Sequence, residues 1–214
     1  MRSSIRGKAL LVGVCILAGP AVWAQQTQRP IVQSNVSADL ALTFAVERAQ
    51  VVPGQSSFWF KGGGADAAVT FWKGLGVAAS LTGDTTLNLA PGVNINKLTY
   101  LGGPRYTRTV WHDQAGSAEQ RRLQIFAQGL FGAAHGFDGY YPASPAPTTS
   151  ANSFAVQAGG GLNLHLTRSL GIRLLEADYV RTELPNGAAN TQNDMRLAFG
   201  VTYHFMAGGK KAVK

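Results

Sequence analysis

The sequence contains a single cysteine, Cys15, and its position removes it from the argument about chemistry. Cys15 lies within an apolar run from Ala9 to Leu17, preceded by Arg2, Arg6 and Lys8 and followed by Ala21-Val22-Trp23-Ala24. A basic start, a short apolar stretch and a small-residue ending make residues 1–24 a secretory signal peptide, with cleavage expected after Ala24. The processed chain then holds no thiol, which excludes disulfides, thiolate metal sites and a cysteine nucleophile. A lipid-anchoring role for Cys15 is disfavoured, because Val14 precedes it where a small residue is needed and the apolar run continues past it.

Charge is scarce as well: 14% of residues are Asp, Glu, Lys or Arg, against about 25% in ordinary soluble proteins. After Ala24 no apolar run approaches the roughly 18 residues of a membrane helix. The excess of positive charge is terminal. Loss of Arg2, Arg6 and Lys8 lowers the formal charge from +8 to +5, and Lys210, Lys211 and Lys214 crowd the last five residues. The body is close to balanced, without the basic face that nucleic-acid binding requires. An exported chain poor in charge and lacking membrane helices points to the other structure a bilayer permits, a closed β-barrel.

What the sequence does have is a period of two. After a polar leader, residues 25–37, Leu40, Leu42, Phe44 and Val46 alternate with Asp39, Ala41, Thr43, Ala45 and Glu47, as one face of a strand requires. A second strand spans Phe58 to Trp72 and returns through Trp72-Lys73-Gly74-Leu75 into a third, with Leu75, Val77, Ala79 and Leu81 on one face. A polar loop is expected over Gly83 to Asn94, then a fourth strand over about Lys97 to Thr107, with Leu101 out of phase. In the fifth, Leu123, Ile125, Ala127 and Phe131 alternate with polar residues and Phe126 is the exception. A Pro-rich loop is expected over His135 to Asn152, then a sixth strand from Phe154 to His165. The seventh, Leu170 to Arg181, changes phase near Leu175, as a β-bulge would produce. In the eighth, Met195, Leu197, Phe199, Val201, Tyr203 and Phe205 alternate with Asp194, Arg196, Ala198, Gly200, Thr202 and His204.

Eight such segments, joined alternately by short turns and longer polar loops, predict an all-β, eight-stranded antiparallel up-and-down transmembrane barrel over residues 38–205, followed by a short basic tail, 206–214. The minority face decides which side is inside. It is mostly Gly, Ala, Ser, Thr, Gln and Asn, which suits the narrow interior of eight strands better than a water-facing surface. Its charges, Asp39, Glu47, Asp66, Arg105, Arg122, Arg173, Glu176, Asp178, Asp194 and Arg196, sum to minus two. Asp66, Arg105, Arg122, Arg173, Glu176, Asp178 and Arg196 are the expected interior polar network, read as a salt-bridged plug rather than a gated path. Phe58, Trp59, Phe60, Phe71, Trp72, Tyr106, Tyr179, Tyr203 and Phe205 fall at strand ends, where interfacial girdles sit.

The C-terminal strand, Met195 to Phe205, together with Phe71-Trp72-Lys73-Gly74-Leu75-Gly76, Gly103-Pro104-Arg105-Tyr106 and Ala177-Asp178-Tyr179, resembles the small outer-membrane barrel proteins related to the OmpA membrane domain and OmpX. The resemblance covers about Ala38 to Phe205. It implies a bacterial outer-membrane location, contact with outer-membrane lipid, and recognition of the last strand by the barrel-assembly machinery through Val201, Tyr203 and Phe205. The chain departs from the family in carrying nine residues, Met206 to Lys214, beyond the terminal aromatic. It also stops short of a peptidoglycan-binding domain.

No catalytic, cofactor or metal site is expected. The four histidines, His112, His135, His165 and His204, show no metal spacing or acid–base pairing. Some eight-stranded outer-membrane proteins modify lipid A, one class through a His-x-Ser pair, but His135 is followed by Gly136 and Phe137. The Gly62-Gly63-Gly64 run lacks the Lys-Ser or Lys-Thr of a phosphate loop and reads as a strand bend. The function expected is structural or surface interaction through loops at about 49–57, 83–94, 135–152 and 182–193. A narrow channel for very small solutes and a soluble secreted barrel binding an apolar ligand are the alternatives.

Overall fold

The alternating segments close into one wall. A computed structural model describes residues 36–49, 57–90, 93–113, 121–187 and 190–206. The expected signal peptide, almost all of the expected polar leader and the residues after Met206 lie outside the described residues. Eight strands follow one another: β1 (Ser37–Ala49), β2 (Phe58–Trp72), β3 (Leu75–Ala90), β4 (Val93–His112), β5 (Arg122–Tyr141), β6 (Thr148–His165), β7 (Leu170–Thr182) and β8 (Gln192–Met206). Each pairs antiparallel with its sequence neighbour, and β8 pairs with β1 to close the barrel. The expected all-β up-and-down architecture is therefore the observed one.

The β2–β3 and β6–β7 turns lie at one end, here the turn end, where β1 begins and β8 finishes. The opposite end is the loop end. At the turn end Lys73 (φ 47°) and Gly74 (φ 90°) both take positive φ, the pair of angles a two-residue I′ hairpin demands. Thr107 N also donates to the Gly74 carbonyl at 2.8 Å, tying the turn to β4.

The apolar face points out. Leu42, Phe131 and Phe199 are 64%, 59% and 57% exposed, whereas Arg173 and Glu176 on the opposite face are 2% and 0% exposed. Among the described residues, the outward wall carries no Asp, Glu, Lys or Arg between the level of Arg48 and Lys61 near the loop end and that of Lys73 and Arg108 near the turn end. Such a surface is stable in hydrocarbon and unstable in water. The soluble-barrel alternative is thereby overturned. Trp59 and Tyr179 stand outward toward the loop end, and Phe71, Trp72, Tyr106, Tyr203 and Phe205 toward the turn end, the two-belt arrangement of interfacial aromatics. Phe60 departs from that expectation. It is buried inside the barrel, because its parity matches Asp66 and Ala68 rather than Trp59.

Both out-of-phase apolar residues have the same explanation. Leu101 and Phe126 turn inward; Leu101 packs with Ala68, Ala78, Leu130, Ala134 and Ala155 along the inner wall of β2 to β6. The phase change in β7 is the expected bulge. Arg173 pairs with Gly200 and Glu176 with Ala198, so Leu174 and Leu175 together oppose Phe199 and both face outward. The extra residue restores inward parity to Glu176, Asp178 and Val180 after Arg173.

Two expected loops are strand. β3 continues to Ala90 and β4 resumes at Val93, so residues 83–90 and 93–94 are strand; β4 is also longer than 97–107, reaching His112. β5 runs to Tyr141 and β6 begins at Thr148, which leaves only residues 142–147 as connection, and the Thr-Thr-Ser run is strand. The leader is shorter by one residue, since β1 begins at Ser37. A membrane strand needs about 9–11 residues, and β3 to β6 have 16, 20, 20 and 18. Their excess leaves the membrane, where neither face needs to be apolar and alternation fades.

Candidate functional site

The site is the lumen, which side chains cross at several levels. In the centre, Arg173 of β7 reaches over to Asp66 of β2 and also donates from Nη1 to Glu176 Oε2 at 2.6 Å. Its Nε donates to Asn163 Oδ1 at 3.1 Å. Arg105 of β4 donates to Gln128 Oε1 of β5, from Nε at 2.9 Å and from Nη2, and Gln128 Nε2 donates to Glu176 Oε1 at 2.9 Å. The chain Arg105–Gln128–Glu176–Arg173–Asp66 thus joins β4, β5, β7 and β2. Phe126 is the hub: the guanidinium carbons of Arg105 and Arg173 lie 4.5 Å and 4.8 Å from its ring centroid. A buried ring between two cations gives both a favourable quadrupole contact.

Toward the loop end, Arg196 donates from Nη1 to Asp178 Oδ2 at 3.2 Å between register-paired positions of β8 and β7. Above it, Lys97 of β4 bonds Glu47 of β1 across the lumen, with Asp194 Oδ2 of β8 at 3.7 Å. Its ammonium also lies 5.0 Å from the ring centroid of Phe60. Burying a charge is costly unless it is paired, and these bridges supply the pairing.

At the turn end His204 Nδ1 lies 2.6 Å from Asp39 Oδ1. The two residues are partners in the β1–β8 register, so the pair clasps the closing seam. His165 packs edge-on against His204, centroids 5.2 Å apart, with its Nε2 2.7 Å from Gln124 Oε1. Here the structure corrects the reading that the histidines form no acid–base pair. The 165 residues separating Asp39 from His204 hid it, and only barrel closure brings them together. Among the described residues no group of three or more His, Cys, Asp or Glu is placed to hold a metal.

Of the seven network residues named from sequence, Asp66, Arg105, Arg173 and Glu176 meet at the centre, Asp178 and Arg196 pair one layer away, and Arg122 stands apart. Arg122 is half-buried at the turn end, in register with His165. Sequence reading missed Asp84 and Lys97, both buried. Parity would have found them: Asp84 continues the series Gly76, Ala78, Ser80 and Thr82, and Lys97 shares phase with Thr99 and Arg105. Asp84 is in register with Lys97 across β3–β4 and with Gly62 across β2–β3. A Cβ at Gly62 would come within 2.3 Å of Asp84 Oδ1 and 2.1 Å of the Gly83 carbonyl oxygen. Gly62 is therefore the bare position that lets Asp84 lie flat on the wall, a role its strand-bend reading did not contain.

The loop end of the lumen widens into a cavity of about 310 Å³ whose lining includes Phe58, Phe60, Tyr140, Tyr141, Lys97 and Asp194. Val201, Tyr203 and Phe205 are remote from it. They stand exposed on the outer face of β8, and the rings of Tyr203 and Phe205 are 4.5 Å apart.

No protein-family model and no curated protein matches this sequence. Solved structures do match. The attachment invasion locus protein Ail of Yersinia pestis, determined in complex with the heparin analogue sucrose octasulfate, superposes with a TM-score of 0.51 at 15% identity, covering 80% of this chain and 99% of that one. Neisserial surface protein A gives 0.49 at 15% identity, covering 79% and 97%. The Pseudomonas aeruginosa outer-membrane protein OprG gives 0.42 at 10% identity, covering 81% and 98%. With eight antiparallel strands, an apolar outside and a charged, filled inside, the chain has the fold of the small eight-stranded outer-membrane barrel proteins.

Proposed function

We propose that this protein is an integral bacterial outer-membrane barrel whose lumen conducts nothing and whose work is done at the loop end, by contact with partners outside the cell. The observation that carries the reading is an asymmetry in pairing. β5 and β6 stay paired out to Tyr141 and Thr148, whereas β6 pairs with β7 only from Ala155. Residues 148–152 of β6 therefore stand above the β6–β7 pairing, with no strand of β7 along that edge. A raised sheet edge is a surface on which another chain can add a strand. Signal-peptide export brings the chain to the assembly machinery, which engages Val201, Tyr203 and Phe205, and outer-membrane lipid then surrounds the apolar wall. The polysulfated sugar belongs to Ail, and the aromatic and acidic mouth of this barrel favours other chemistry.

Orientation is testable because the processed chain has no cysteine. An impermeant maleimide should label Ser150→Cys on intact bacteria and Arg168→Cys only after the cells are broken; the opposite pattern would put the loop end in the periplasm and end this proposal. The channel alternative is separated by conductance. Purified barrel in planar bilayers is expected to stay silent, since paired charges cross the lumen at the levels of Arg173 and Lys97. Steady current would return the protein to the channel class.

A further inference from the structure

We infer that the loop-end cavity binds a small organic cation, an ammonium carried on an apolar or aromatic body. The inference rests on the loop end being the outward face. At about 310 Å³ the cavity sits at the lower end of the range of small-molecule pockets, about 300–1,000 Å³. Its walls are aromatic, with Phe58, Phe60, Tyr140 and Tyr141, and its floor is charged, with Lys97 and Asp194.

The sign of that floor selects the ligand. Among the described residues the one cation lining the cavity, Lys97, already bonds Glu47 and has Asp194 at 3.7 Å, so two acids surround one base. An incoming carboxylate would add a third negative charge to a satisfied lysine. An ammonium would instead restore balance. Two further groups bear on the ligand, one in the cavity wall and one beside its floor. Tyr141 lines the cavity, is 6% exposed, and its hydroxyl has no hydrogen-bond partner. Both carboxylate oxygens of Asp84, beside Lys97 in register, also lack one. Deeper in the lumen Arg196 is turned to Asp178. The aromatic rings supply faces that attract a cation and pack against its apolar part.

Three matched probes test this on the full barrel refolded in detergent: 2-phenylethylammonium, 2-phenylethanol and phenylacetate. By isothermal titration the amine should bind at least tenfold more tightly than the alcohol, and phenylacetate more weakly than either. Amide NMR shifts should centre on Phe60, Lys97 and Tyr141. Tyr141→Phe, which removes the hydroxyl, should weaken the amine roughly tenfold, the range of one hydrogen bond to a charged group. Asp194→Asn should narrow the gap between amine and alcohol. Equal binding of the three probes, shifts confined to the outer wall, or absence of amine binding would each overturn the inference. Should Asp194→Asn fail to fold, the probe comparison on the unaltered chain still decides. The maleimide experiment reports orientation independently, so a failed ligand and a failed orientation are told apart.

Discussion

Arg173→Met is expected to destabilise the barrel by about 3–5 kcal/mol, the usual cost of removing one partner from a buried ion pair. Arg173 is 2% exposed and bonds two carboxylates, Asp66 and Glu176, which are 3% and 0% exposed. Methionine keeps an unbranched apolar stem but not the guanidinium, so two buried negative charges lose their common cation. Phe126 loses one of its two guanidinium faces as well. Reversible urea unfolding in lipid vesicles, followed by the mobility difference between boiled and unboiled samples, measures the effect. The triple change Asp66→Asn, Arg173→Met, Glu176→Gln should recover much of the loss, because a neutral layer has no orphaned charge. A cost below about 1 kcal/mol for the single change would mean that the lumen holds its carboxylates by other means, and the plug described above would not be what closes it.

How much of this was legible in the sequence depends on where a residue sits relative to the membrane. Inside the bilayer each strand has one face in lipid and one in a crowded lumen, so alternation is enforced; β8 and the turn at Lys73-Gly74 could be placed residue by residue. Even the bulge at Leu174 and Leu175 was visible, as a change of phase. Above the membrane that contrast disappears. Asp84, Thr85 and Thr86 form a polar stretch, as do Thr148 to Ser150, yet both are strand, held by pairing to their neighbours rather than by an apolar face.

The candidate site was legible in composition and obscure in geometry. Parity assigned Asp66, Arg105, Arg173, Glu176, Asp178 and Arg196 to one side of the wall, but it says nothing about depth, and depth decides which charges meet. Lys97 bonds Glu47 from across the lumen, and Asp39 meets His204 only because the first and last strands close on each other. Phe126 and Leu101 broke the pattern because both turn inward, into different surroundings. One lies between cations and the other fills an apolar part of the interior.

The outward wall yields the second large effect. Leu42→Arg should cost about 2–4 kcal/mol, the penalty for a basic residue near the middle of a barrel's lipid-facing band. Leu42 is 64% exposed and its cross-strand neighbours are Ala65 and Val201. On a water-facing surface such a replacement would stay within roughly 0.5 kcal/mol, so the size of the effect reports the solvent outside the wall rather than any contact within it. The same face of β1 already carries an arginine, Arg48, six residues further on beside Trp59, with its Nε 3.1 Å from Ser57 Oγ. Depth is therefore the variable. Val46→Arg, close to Arg48, should cost less than Leu42→Arg, and the same unfolding assay in vesicles reads both. Equal and negligible costs at the two positions would mean that water, not lipid, bathes this face.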